Sequence, residues 1–177
     1  MPVTPRQPWF LTNPSATALC TLLLCAVATA LPPTVARAGT THHNPPVLKP
    51  CPSGVAAHSR CLIGRDSAGA HYWLAVPPDW NGTLVVHAHG GPKLGEAKAE
   101  RPVADLTRWS IWTRAGFAYA GSGFRQGGVQ VRSAAEDTER VRQIFVAEVG
   151  TPKRTVLHGQ SWGASVAARA AELFPRR

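Results

Sequence analysis

Arg154-Thr-Val-Leu-His-Gly-Gln-Ser-Trp-Gly163 runs from strand formers into a serine flanked by glycines. The segment Gly159-Gln160-Ser161-Trp162-Gly163 is a G-x-S-x-G. An alanine-rich helix is expected from Ala164 to Phe174, where Pro175 stops it. A strand-to-helix turn of this kind suits a nucleophile. The glycines allow a tight bend that lifts Ser161 above the sheet edge. The helix then sets its first N–H groups near the serine, where a developing oxyanion is stabilised.

Upstream, His71-Tyr-Trp-Leu-Ala-Val76 and Thr83-Leu-Val-Val-His-Ala88 are strand-like. Pro77-Pro-Asp-Trp-Asn-Gly82 between them is turn chemistry, with Gly82 suited to positive φ, so a hairpin is expected. Beyond Ala88 the period lengthens. Val103, Leu106, Trp109 and Trp112 make one helical face ending near Gly116. Phe117–Ala120 is a short strand that enters the glycine-rich segment 121–128. Ser133 and Glu136 form a capping box for a helix with an apolar stripe of Val141, Ile144, Phe145 and Val149, closed by Gly150. Strands alternating with helices predict an α/β fold whose mostly parallel sheet has helices on both faces. Ligands bind at the carboxyl ends of such strands, in the loops starting at His89, Gly121 and Gly159.

His89-Gly90-Gly91-Pro92 occupies the first of these loops. An oxyanion hole needs two backbone donors. Trp162, directly after Ser161, is one candidate. Gly90 and Gly91 are the others, because glycine lets the backbone approach a substrate, whereas Pro92 has no N–H.

With Val85-Val-His-Ala-His-Gly-Gly-Pro92 and Val156-Leu-His-Gly-Gln-Ser-Trp-Gly163 in this order, the chain resembles the α/β-hydrolase superfamily. Its form is most similar to secreted esterases and prolyl-oligopeptidase-like peptidases. The resemblance spans residues 62–177. It implies a serine hydrolase acting on an ester, or a peptide or amide, through an acyl-enzyme. Ser161 would be the nucleophile, and the N–H groups of Trp162 and Gly91 would be oxyanion donors. Ester is favoured over peptide, since nothing resembles the propeller domain of the oligopeptidases.

The family order is serine, then acid, then histidine. After Ser161 this chain has one acid, Glu172, within a helix, and no histidine; all seven histidines precede Ser161. His158 sits on the strand entering the turn, and His89 on the oxyanion loop. Neither is expected to act as base. The resemblance therefore implies a fold truncated after the nucleophile helix, with weak or absent hydrolysis. The 154–158 strand is left as an open sheet edge that favours aggregation.

Other signals are weaker. Arg125 is a candidate contact for an acidic substrate group, and His89 a second substrate contact. Gly121-Ser-Gly123 misses the dinucleotide fingerprint, because Gln126 stands where a third glycine belongs. His87 and His89 lie two apart on a strand without evident acidic or thiol partners, so no metal site is expected. No organic cofactor is implied.

Composition agrees with a globular chain: 177 residues, 44% hydrophobic. Arg6, the apolar run Ala16–Ala30 and small-x-small sites at Ala28–Ala30 and Ala36–Ala38 read as a secretory signal over 1–38. A secreted or periplasmic protein follows, with no membrane attachment after cleavage. Residues 39–60 read as an extended Pro-rich leader and 61–177 as a partial hydrolase domain. In an oxidising compartment, Cys51 and Cys61 are expected to form a disulfide. The net charge of +9 comes from scattered bases, without the runs or motifs of a nucleic-acid binder. A small-molecule substrate is the expected partner. The competing expectation is a non-catalytic secreted module that holds an anionic ligand on its basic surface.

Overall fold

The computed structural model describes residues 44–175. The signal reading over 1–38 lies outside them, as does the leader up to residue 43. Six strands, Val47–Lys49 (β1), Arg60–Arg65 (β2), His71–Val76 (β3), Thr83–Ala88 (β4), Ala118–Ser122 (β5) and Arg154–Gly159 (β6), form one sheet. Four helices, Glu100–Arg108 (α1), Ile111–Arg114 (α2), Val131–Glu148 (α3) and Trp162–Leu173 (α4), interleave with the later strands.

The strand order is β1-β2-β3-β5-β4-β6. The pairs β1/β2, β2/β3 and β3/β5 are antiparallel, and only β4/β5 and β4/β6 are parallel. This mixed sheet replaces the expected α/β-hydrolase arrangement, mostly parallel and truncated after the nucleophile helix. The cause lies in the connections. Residues 66–70 form a tight turn in which the Asp66 carboxylate accepts the Ala68 and Ala70 N–H groups, at 2.9 and 2.8 Å. Gly69 there adopts φ +91°. A turn this short returns the chain antiparallel.

The expected hairpin of β3 with β4 is also overturned. β5 lies between them, antiparallel to β3 and parallel to β4. The continuous apolar centre of β4 fits an inner strand covered on both faces and does not choose between β3 and β5 as its neighbour. Leu84, Val85, Val86, Ala88 and all of β5 are buried.

Local boundaries differ as well. The helix expected from Val103 to near Gly116 is two helices broken at Trp109-Ser110. Ser133 lies inside α3, which starts at Val131, and its hydroxyl donates to the Gln130 carbonyl rather than capping the helix. The leader contains β1, paired with β2. On one face Leu62, Tyr72, Leu74, Leu84, Val86, Ala118 and Ala120 meet Val141, Ile144 and Phe145 of α3. On the other, Ala75 and Tyr119 meet Leu106, Trp109 and Trp112.

Cys51 and Cys61 form a disulfide, with a Cα–Cα distance of 5.3 Å. It ties the leader to β2, and two further bonds hold the leader to α2: Ala56 N–H to Thr113 Oγ1 and Arg114 Nη1 to the Gly54 carbonyl. Closing a loop of sequence separation 10 restricts the unfolded chain. Reduction is expected to lower stability by roughly 2.5 kcal/mol at 25 °C. Urea midpoints with and without reductant measure it, and equal midpoints would contradict the expectation.

Candidate active site

β4 and β6 are parallel neighbours, with Ala88 opposite Gly159 and His87 opposite His158. Their carboxyl ends therefore bring the loop from His89 beside the turn from Gly159. Ser161 stands between β6 and α4 with φ +52° and ψ −125°. Positive φ in a residue with a Cβ is strained, and it persists only where surroundings over-determine it. The two motif glycines supply those surroundings. A Cβ on Gly159 would strike the Gly163 carbonyl and lie 2.6 Å from the Ala164 nitrogen. A Cβ on Gly163 would strike the Ala88 carbonyl oxygen and lie 2.7 Å from that of His89. Helix and strands are thus packed backbone to backbone, and Ser161 is exposed at the crest.

Trp162 opens α4, so its N–H has no carbonyl one turn behind it within the helix. Gly90 packs against the elbow: a Cβ there would lie 2.8 Å from the Gln160 carbonyl oxygen. Gly91 has open space around it but adopts φ +77°, so its glycine serves conformation. The sequence candidates Ser161, Trp162, Gly90 and Gly91 thus come from two adjacent loops.

The loop after β5 completes the surround. Phe124, buried at φ +59°, lies between His89 and Trp162, with ring centroids at 6.2 and 6.0 Å. Beyond it, Gly127 N–H donates to the Gly95 carbonyl and Gly128 N–H to that of Lys93. These bonds fasten the far side of the 89–99 loop.

Arg125 is occupied. Its Nε donates to Asp137 Oδ1, its backbone N–H to Asp137 Oδ2 and its Nη2 to Glu136 Oε2, each at 2.8 Å. The expected substrate contact at Arg125 is instead an anchor for the loop after β5.

His89 Nδ1 hydrogen-bonds Asp105 Oδ2 at 2.5 Å. His87 Nδ1 hydrogen-bonds His158 Nδ1 at 2.9 Å, and His87 Nε2 lies 3.8 Å from Asp105 Oδ1. Burial alone would raise the Asp105 pKa; hydrogen bonds and charge from His87 and His89 outweigh it and lower it to about 2. Its stabilising effect is complete above the ordinary carboxylate value and lost as pH falls toward 2. Burial and the neighbouring His87 hold the His158 pKa down. Among the described residues, no histidine hydrogen-bonds the Ser161 hydroxyl, and no group of three or more His, Cys, Asp or Glu is placed to hold a metal ion.

Asp105 and Phe124 escaped the sequence. Asp105 lies four residues before Trp109 and beside Leu106, on the apolar stripe of its helix. A carboxylate on that stripe, with unpartnered histidines upstream, was the signal.

No family model matches the chain. Among curated proteins it is similar to the o-phthalyl amidase of Xanthobacter agilis, with 28% identity over 118 residues. The match covers 65% of this chain and 24% of that protein's length.

Proposed function

We propose that this chain carries the serine nucleophile and oxyanion donors of a hydrolase that cleaves carboxylic amides or esters through an acyl-enzyme. Ser161 is the nucleophile, and the N–H groups of Trp162 and Gly91, with Gly90 beside it, receive the oxyanion. The single observation behind this reading is the strained backbone of Ser161, at φ +52° between two glycines that admit no Cβ. The similarity to an amidase supports the amide option.

The chemistry follows from the residues. Ser161 Oγ attacks the carbonyl carbon, and the negative charge collects on the carbonyl oxygen. Two backbone donors stabilise that charge without reorganising. The serine proton needs an acceptor, and His89 and His158 are bonded to Asp105 and His87. A serine without a base is a poor nucleophile, so activity in this chain is limited to what the oxyanion donors provide.

A fluorophosphonate tests the reading. The Ser161 oxygen bonds to phosphorus, fluoride leaves and the proton passes to solvent. An adduct is expected on Ser161 by peptide mass spectrometry, and none in Ser161→Ala. Because the alkoxide forms only through hydroxide, the labelling rate should rise about tenfold per pH unit from pH 6 to 9. A plateau near pH 7 would reveal a working imidazole base. Absence of any adduct at every pH would remove Ser161 as nucleophile.

A further inference from the structure

A polar run, half-buried at His158 and buried at its other three members, crosses four elements beneath the site. It starts at His158 on β6, three residues before Ser161, and passes to His87 on β4 at 2.9 Å. It continues to Asp105 on α1, 3.8 Å from His87, and ends at His89, 2.5 Å from Asp105. Its walls are aromatic. Trp109 and Trp112 meet His158 edge-on at 4.6 and 5.4 Å, and Tyr119 stacks on His87 at 5.9 Å. An ionised carboxylate in such surroundings is tolerated only when hydrogen-bonded, so Asp105 requires the Nδ1–H of His89. His89 in turn begins the loop carrying Gly90 and Gly91, and Gly90 is in backbone contact with Gln160 of the elbow.

We propose that Asp105 is a positioning residue: by gripping the Nδ1–H of His89, its carboxylate holds Gly90 and Gly91 in place against the Ser161 elbow. This rests on the reading of Ser161 as nucleophile. An Asp–His pair also has the form of a general base, but here it cannot serve the serine hydroxyl. His89 Nε2 is buried and its ring faces Phe124, whereas Ser161 is exposed. The pair therefore acts on the loop. The titratable groups facing Asp105 are His87 on β4, His89 on the loop and Tyr119 on β5, with His158 behind His87.

The test compares the chain with its Asp105→Ala and Asp105→Asn variants in three measurements. Imidazole nitrogen NMR is expected to show His89 protonated at Nδ1 in the parent and a mixture of tautomers in Asp105→Ala. Amide exchange at Gly90 and Gly91 should quicken at least tenfold in Asp105→Ala, while amides of β2 and β3 keep their protection. Fluorophosphonate labelling of Ser161 should slow roughly tenfold to a hundredfold, short of the roughly hundredfold to thousandfold that follows outright loss of an oxyanion donor. Asp105→Asn retains an acceptor and should recover part of each effect. If Asp105→Ala does not fold, Asp105→Asn carries the same measurements, with smaller changes in the same direction. Unchanged exchange at Gly90 and Gly91, with an unchanged His89 tautomer, would overturn the proposal. Failure of the parent chain to label would instead remove the nucleophile, and the exchange and tautomer data would still decide whether Asp105 holds the loop.

Discussion

Gly163→Ala is expected to cost the chain about 3 kcal/mol or more and to lower its melting temperature by roughly 10 °C. The added Cβ would meet the Ala88 carbonyl oxygen inside van der Waals contact and that of His89 at 2.7 Å. Both obstacles are backbone. Ala88 ends β4, which is hydrogen-bonded on both sides by β5 and β6 and cannot retreat. The other way out is for α4 to move off the sheet, away from the partners of Val166 and Ala170, both buried. Thermal and urea melts followed by circular dichroism measure the loss. A cost below 1 kcal/mol would mean that the packing of helix against strand is looser than the distances state. Ser161→Ala has no such neighbour and should melt near the parent, so the elbow's stability and its chemistry can be separated.

Asp137→Ala should lose about 3 kcal/mol, for a different reason. Asp137 is fully buried and joins three parts of the chain: Arg125 after β5, Arg140 on α3 and, through Arg140, Asp66 in the β2–β3 turn. Burial pushes its carboxyl above the ordinary carboxylate value, against the pull of Arg125 and Arg140. On that balance burial costs the ionised carboxylate more than its partners return, so the intact ion pair is not a net stabiliser. Removing only the carboxylate is severe, because two half-buried guanidinium groups each lose one of two carboxylate partners, Arg125 keeping Glu136 and Arg140 keeping Asp66. The loop it holds contains Phe124 at φ +59°, a conformation kept only under restraint. Asp137→Asn keeps an acceptor for the Arg125 N–H and should lose about half as much. Limited trypsin digestion gives a local readout: cleavage after Arg125 should appear in Asp137→Ala well before global unfolding. Cleavage kinetics equal to the parent's would show that the loop does not depend on Asp137.

The elbow was legible in the sequence because its requirements are local. Gly159, Ser161 and Gly163 must be close in sequence to make one turn, and the strand before them and helix after them leave their own periods. The disulfide was legible because only Cys51 and Cys61 lie beyond the expected signal. Sheet order was not legible. Nothing between Val76 and Thr83 says that β5, more than thirty residues later, will enter between β3 and β4; the buried residues of β4 fit either partner. The same limit hid Asp105 and misdirected Arg125. Arg125 reads as a candidate contact because its partners, Glu136 and Asp137, lie on a helix whose facing side is set only by tertiary packing.

The strand order also dictates a sequence of assembly. β2 and β3 are joined by a turn of five residues and can zip as soon as both have been made. β4 gains no neighbour until β5 arrives, and gains its second only with β6, after the whole of α3 has been synthesised. Contacts of such sequence separation form slowly. The nascent chain therefore carries an apolar strand, Thr83–Ala88, bare on one side until Arg154–Gly159 is available. The residue proposed for chemistry directly follows β6, so any folding intermediate that stops short of β6 is inert and sticky together.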